Sequence, residues 1–185
     1  MSGAGGAFFL WENEMGSTEP AWLLAARQLI GTREAAGSAN NATILGWAKL
    51  LGLKILGIAY NADSVPWCGL FVAHCLRVGG VDLLTMKVGV RAKAWATWGL
   101  AIAADRLAPG AILVFDRAGG GHVAFYVGED ATHYHVLGGN QGDRVSIMRL
   151  EKSRCIAKRW PALVPVIGQP VKLTAAGVPV SRNEA

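Results

Sequence analysis

Three positions in this chain carry side chains that together could perform acyl transfer. In "SVPWCGLFVAHCLRV", residues 64–78, Cys68 follows Pro66-Trp67 and opens an amphipathic run. At a helix N-terminus the unpaired backbone N–H groups and the macrodipole favour negative charge, which predicts a thiol of lowered pKa. A thiol nucleophile also needs a base within hydrogen-bond reach. His122 is the candidate, because it follows Gly119–Gly121 and starts a strand, where its ring could face the helix end. The base in turn needs an orienting group on its far nitrogen. The residues leave two options open: Asn140, 18 positions after His122, and His135, 13 positions after it.

Each of these residues also has an ordinary structural use. A cysteine on an apolar helix face normally behaves as a small core residue, and Cys75 and Cys155 are read that way. His133 and His135 could be alternating positions of one strand. The three cysteines form no CxxC, which argues against a zinc knuckle or a disulfide framework. Cys68 and Cys75 lie two helical turns apart, about 10 Å, too far for a bridge. The histidines show no short metal-ligand spacing, so neither a metal nor another cofactor is expected.

The elements that must position these groups follow from the patterning. Ser17 or Thr18 is the expected cap of a first helix, with Pro20 in its first turn and Gly31 as its stop. "TREAAGSANN" reads as a polar loop, and "ATILGWAKLLG" as a second helix ending at Gly52. Pro66 marks the next boundary. Cys68, Phe71, Val72, Cys75 and Leu76 then share one helix face, and Gly79-Gly80 ends the third helix. A short fourth helix is expected around "RAKAWATWG". From Pro109 the period becomes two: "GAILVFDR", "GGGHVAFYVGED", "THYHVLGG", "RVSIMRL" and "CIAKRWPAL" all read as strands. Helices first and an antiparallel meander second is an α+β pattern.

The chain has 185 residues, 52% of them apolar, enough for one domain with one core. Its formal charge of +5 suits an anionic partner. The basic residues are scattered singly, which argues against nucleic acid as that partner. No apolar stretch reaches the length of a transmembrane helix. The first residues lack the basic n-region of a signal peptide, so synthesis in the cytoplasm is expected, with delivery by other means. The expected organisation is a Gly-rich arm over 1–16, one domain over 17–167 and a loosely held tail over 168–185.

The order "PWCGLFVAHCLRVGGV", "PGAILVFDR", "GHVAFYVGED" and "VLGGNQGDRVSI" resembles the NlpC/P60 and CHAP cysteine peptidases, hydrolases of bacterial peptidoglycan. It is closest to a phage or prophage branch in which Pro-Trp-Cys replaces Asp-Cys-Ser-Gly. The resemblance implies a papain-like fold, with N-terminal helices packed on a central antiparallel sheet of about five to six strands. It implies Cys68 as nucleophile, His122 as base and Asn140 as the orienting residue, with His135 the alternative that many NlpC/P60 members would suggest. The implied reaction cleaves a stem-peptide amide, as an endopeptidase or an N-acetylmuramoyl-L-alanine amidase, at the cell wall. The setting would be an endolysin, a tail-associated lysin or a secreted effector, and virion proteins are possible partners. A docking component of a phage tail that keeps the fold, or an acyltransferase on the same scaffold, are the competing readings. The sequence departs from the family at Gly69, where serine is usual, and at Ala111, where an acid is usual. The family's tyrosine upstream of the cysteine has no clean match. Tyr60 and Asp63 are nearby, and Tyr60 is assigned with Trp67 to substrate binding.

Overall fold

The computed structural model describes residues 19–176 and 178–181. The expected arm over 1–16 and the expected caps Ser17 and Thr18 lie outside the described residues. Three helices come first: α1 (Ala21–Gln28), α2 (Ala42–Leu56) and α3 (Cys68–Val78). A 3-10 turn (Ala92–Thr97) takes the place of the expected fourth helix. Six strands follow: β1 (Leu100–Ala101), β2 (Ile112–Arg117), β3 (Gly120–Glu129), β4 (His133–Gly138), β5 (Ser146–Glu151) and β6 (Cys155–Trp160). They form one antiparallel sheet in the order β1-β6-β2-β3-β4-β5, so the protein is α+β with its helices gathered before the sheet. None of the helices is long and apolar enough to cross a membrane among the described residues.

The helix limits follow from local chemistry. Pro20 itself caps α1, its extended backbone (φ −67°, ψ 151°) feeding straight into the first turn. Trp22, Leu23 and Ala26 are buried, whereas Ile30 lies past the helix end and is exposed. α2 does not stop at Gly52. The chain breaks there (φ 71°, ψ 172°), then makes one more turn to Leu56 before Gly57 ends it in the left-handed region. The cap of α2 is Asn41, whose Oδ1 accepts from the Thr43 and Ile44 N–H groups.

α3 is the central helix. It packs on β3 and β4, with α1 and α2 beside it. Phe71 meets Phe125 of β3 and Trp47 of α2, each at a ring separation of 6.1 Å. Both faces of β3 are covered, so its alternating residues all serve a core, and only its start at Gly120 and Gly121 is partly open. β2 and β3 form a hairpin with Ala118-Gly119 at its tip, Gly119 supplying φ +75°.

Within the tail expected to be loosely held over 168–185, the described residues bond to the sheet at two places. The Glu129 N–H donates to the Val171 carbonyl, and the Leu173 N–H to the Glu129 carbonyl, both at 2.8 Å. Lys172 pairs with the Glu129 carboxylate. Further on, Arg149 N–H donates to Pro179 and Ser181 N–H to Arg149, and the Ser181 side is buried. A Cβ on Gly128 would come within 2.4 Å of Leu173, so that glycine admits the tail against β3.

One polar side chain in this packing carries a pH dependence. His74 of α3 stacks on Trp47 (5.0 Å, 17°), its Nδ1 is buried without a partner, and burial pushes its pKa down to about 4. An unfolded imidazole takes its proton near pH 6.5. Between those values the unfolded chain binds the extra proton, so stability falls as the pH drops from about 6.5 towards 4. His74→Phe keeps the stacked ring and removes the titration. Its thermal midpoint relative to wild type should therefore be higher at pH 4.5 than at pH 8. A difference that does not change with pH would contradict this.

Candidate active site

Cys68 is the first residue of α3, and its position is set by the residue before it. Trp67 is 0% exposed. Its ring packs beside Trp47, and its Nε1–H donates to Glu34 Oε1 at 2.7 Å. The indole is therefore an anchor for the helix start and is not available to pack on a substrate, contrary to the expectation from sequence. Burial raises the pKa of Glu34, although the Trp67 hydrogen bond opposes the shift. Gly69 also has a physical reason. A Cβ there would lie 2.3 Å from the Gly89 carbonyl oxygen and 2.5 Å from that of Val90, so the serine usual in the resembling family would not fit.

Cys68 is 6% exposed. Burial pushes its pKa up, and this outweighs the opposing help from the Val123, Gly69 and Cys68 N–H groups and from the Arg117 charge. The lowered pKa expected at a helix N-terminus is thus overturned, because the dipole and the N–H groups act on a group that has lost most of its water. The resting form is the neutral thiol. The Val123 backbone is close enough to Cys68 to act on its thiol, which sets the start of α3 near the residue after His122.

His122 is buried within the sheet, opposite Phe115 of β2. Its Nε2 lies 3.1 Å from Gln141 Oε1. Neither Asn140 nor His135 makes this contact; the amide that meets His122 belongs to Gln141, the residue after Asn140. The Gln141 amide has a fixed direction, because its Nε2 donates to the Ser146 carbonyl at 2.5 Å. Its oxygen must then face the imidazole, so His122 carries its proton on Nε2 and its lone pair on Nδ1. A tautomer fixed in this way is what a general base requires.

The turn that presents Gln141 is braced from the helical side. Gln141 N–H donates to the Arg144 carbonyl, Val145 N–H to Thr32 and Glu34 N–H to Asp143. The "polar loop" between α1 and α2 is in fact a partner of this turn, through the Arg33–Arg144 bridge. Buried Asp63 holds that loop, accepting from the Ala35 and Asn41 N–H groups at 2.9 and 2.8 Å. The two glycines before Asn140 allow the close approach. A Cβ on Gly139 would meet Phe71 and Trp67 at 2.6 Å, and one on Gly138 would meet Gln141 Oε1 at 2.9 Å. Asn140 itself takes φ 58°, and its buried Oδ1 has no hydrogen-bond partner.

His135 belongs to a different cluster. Asp130 accepts from His135 Nε2 at 2.9 Å and from Arg149 Nε at 2.7 Å, besides the Thr132 and His133 N–H groups. The Arg149 hydrogen bond leads in holding Asp130 far below the usual carboxylate range. This cluster ties β4 to β5. Tyr60, expected to bind substrate, instead donates its hydroxyl to the Val65 carbonyl at 2.8 Å. Burial, helped by the charges of Asp63 and Glu34, pushes its pKa well up, so it is a neutral donor that shapes the chain just before Pro66.

Cys68 opens into a cleft of about 530 Å³. Val65 and Pro66 form one wall, and the rim carries Arg91, Lys93 and Arg117. Gln141 and these cations are what sequence reasoning missed. Gln141 was visible only as a polar neighbour of Asn140, and Arg117 only as the last residue before the Gly-rich turn.

No protein-family model matches the chain, and no curated protein matches it. The site therefore rests on its own geometry. Because burial raises the Cys68 pKa, alkylation of the free protein by iodoacetamide should be slow at neutral pH. The rate should climb with an apparent pKa above the ordinary thiol value of about 8.5. A rate already at its plateau near pH 6 would show a standing thiolate and contradict this reading.

Proposed function

We propose that this chain is a papain-like cysteine hydrolase that cleaves a stem-peptide amide of bacterial peptidoglycan. The observation that carries the reading is that Cys68 at the start of α3 lies where the Val123 backbone acts on its thiol, next to His122, whose Nε2 meets Gln141 Oε1. A thiol, an imidazole of fixed tautomer and an orienting amide are the parts an acyl-transfer site needs.

The chemistry follows from the protonation states. As the sulfur of Cys68 attacks the amide carbonyl, Nδ1 of His122 takes its proton. Gln141 accepts from Nε2–H and supports the imidazolium that forms. The backbone N–H of Cys68, at the start of α3, is the oxyanion donor. Collapse of the tetrahedral intermediate releases the amine, which takes the proton from His122, and leaves a thioester on Cys68. Water, deprotonated by His122, then hydrolyses the thioester.

The +5 formal charge and the cationic cleft rim support an anionic substrate such as a wall polymer. The resemblance in "PWCGLFVAHCLRVGGV" and "GHVAFYVGED" favours a phage-type lysin acting at the cell wall, as an endolysin or as part of a virion.

Purified sacculi incubated with the protein should release soluble muropeptides, and mass spectrometry of the new amino termini identifies the bond cut. Cys68→Ala should lower the release by at least about a thousandfold. Undiminished release by that variant, or none by the wild type, would contradict the proposal.

A further inference from the structure

The segment between α1 and α2 supplies one residue that reaches both halves of the candidate site. Glu34 is half-buried, and its carboxylate accepts from Trp67 Nε1–H at 2.7 Å. Its backbone N–H donates to the Asp143 carbonyl at 3.0 Å. Trp67 immediately precedes Cys68, and Asp143 lies just beyond Gln141. The indole touches the Gln141 turn as well, since a Cβ on Gly139 would come within 2.6 Å of its ring. The Trp67 ring therefore has the thiol next to it in the chain and the turn of Gln141 next to it in space. Its one polar atom is held by Glu34.

Glu34 is presented from a fixed backbone. Asp63 accepts from the N–H of the following residue, Ala35, at 2.9 Å, and the Val145 N–H donates to the Thr32 carbonyl at 2.7 Å. A carboxylate is an expensive group to keep at this place. Burial disfavours its ionised form, and the charges of Asp143 and Asp63 add to that cost. An aliphatic residue would avoid the cost but would leave the buried indole N–H without an acceptor.

We propose that Glu34 is a positioning residue of the site. By holding the Trp67 indole it sets the depth and direction of Cys68 relative to His122, and it keeps the start of α3 in register with the turn that carries Gln141. Alignment is what such a link contributes: a displacement of about 1 Å in a reacting group can lower a rate on the order of a hundredfold. The effect on turnover rests on the hydrolase reading, whereas the effect on the thiol rests on geometry alone.

The test reads thiol and turnover separately on the full chain. Glu34→Ala removes the acceptor, and Glu34→Gln keeps an amide oxygen for the indole N–H without the charge. Iodoacetamide modification at one fixed pH is followed by peptide mass spectrometry, so that each cysteine is counted separately. Cys75, buried further along α3, reports on the helix as a whole. In Glu34→Ala, Cys68 should react about tenfold faster, because the helix start is no longer held, while Cys75 stays as protected as in the wild type. Glu34→Gln should stay within about threefold of the wild type. Release of muropeptides from sacculi should move the opposite way, falling about tenfold or more in Glu34→Ala and recovering in Glu34→Gln. Trp67→Phe deletes the donor, and adding Glu34→Ala to it should change the Cys68 rate by less than about twofold, since both remove the same bond.

A merely structural role would expose both cysteines together. An unchanged Cys68 rate in Glu34→Ala, a Cys75 rate that rises with it, or a Glu34→Gln variant that behaves like Glu34→Ala overturns the inference. Selective exposure of Cys68 with no hydrolysis by any form upholds the link and overturns the hydrolase reading. Hydrolysis by the wild type that Glu34→Ala leaves unchanged does the reverse.

Discussion

The side-chain amide of Gln141 has a single orientation open to it, and the candidate site depends on that constraint. The Ser146 carbonyl demands a donor, so the NH₂ group points there and the oxygen points to His122. The proton of the imidazole is thereby placed on Nε2, and the lone pair on Nδ1. An amide does this without bringing a charge into a buried site. A carboxylate at the same place would stabilise the imidazolium more strongly and would raise the resting proton affinity of the ring.

Close backbone approach makes this arrangement possible, and glycines permit it at three points. Gly69 lets the start of α3 pass the 89–90 backbone, while Gly138 and Gly139 let the β4–β5 turn pack onto Gln141, Trp67 and Phe71. Substituting any of them would separate two of the three parts of the site. The bracing from the other side is equally specific. Asp63 holds the loop after α1, that loop pairs with the 143–145 turn, and Glu34 from the same loop anchors Trp67. One short segment thus fixes both the helix start that carries the thiol and the turn that carries Gln141.

Much of this was legible in the sequence where periodicity and punctuation are strong. The limits of α3 and the β2–β5 run of the meander follow from apolar spacing and from glycine, whereas β6 leaves that order and pairs with β2. The placement of Cys68 next to the start of β3 was likewise expected, because a helix start and a Gly-rich strand start can meet at one end of a sheet. The failures share a cause: they concern three-dimensional neighbours that spacing does not encode. Asn140 and Gln141 are adjacent, and only the turn geometry decides which of them faces His122. His135 lies on the same strand pattern as a catalytic partner would, but Asp130 and Arg149 claim it. Trp67 beside a cysteine reads as a substrate platform until Glu34 and Trp47 are seen to enclose it. The thiol pKa went the wrong way because a helix dipole is visible in sequence and desolvation is not.

The central claim is that Gln141 fixes His122 as the Nε2–H tautomer, leaving Nδ1 to receive the proton of Cys68. Nitrogen-15 NMR of the protein labelled in its imidazole rings reads this directly at neutral pH. The account predicts a pyrrole-type Nε2 and a pyridine-type Nδ1 for His122 in the wild type, and loss of that pattern in Gln141→Leu. A His122 protonated on Nδ1, or a wild-type pattern unchanged by Gln141→Leu, would contradict it.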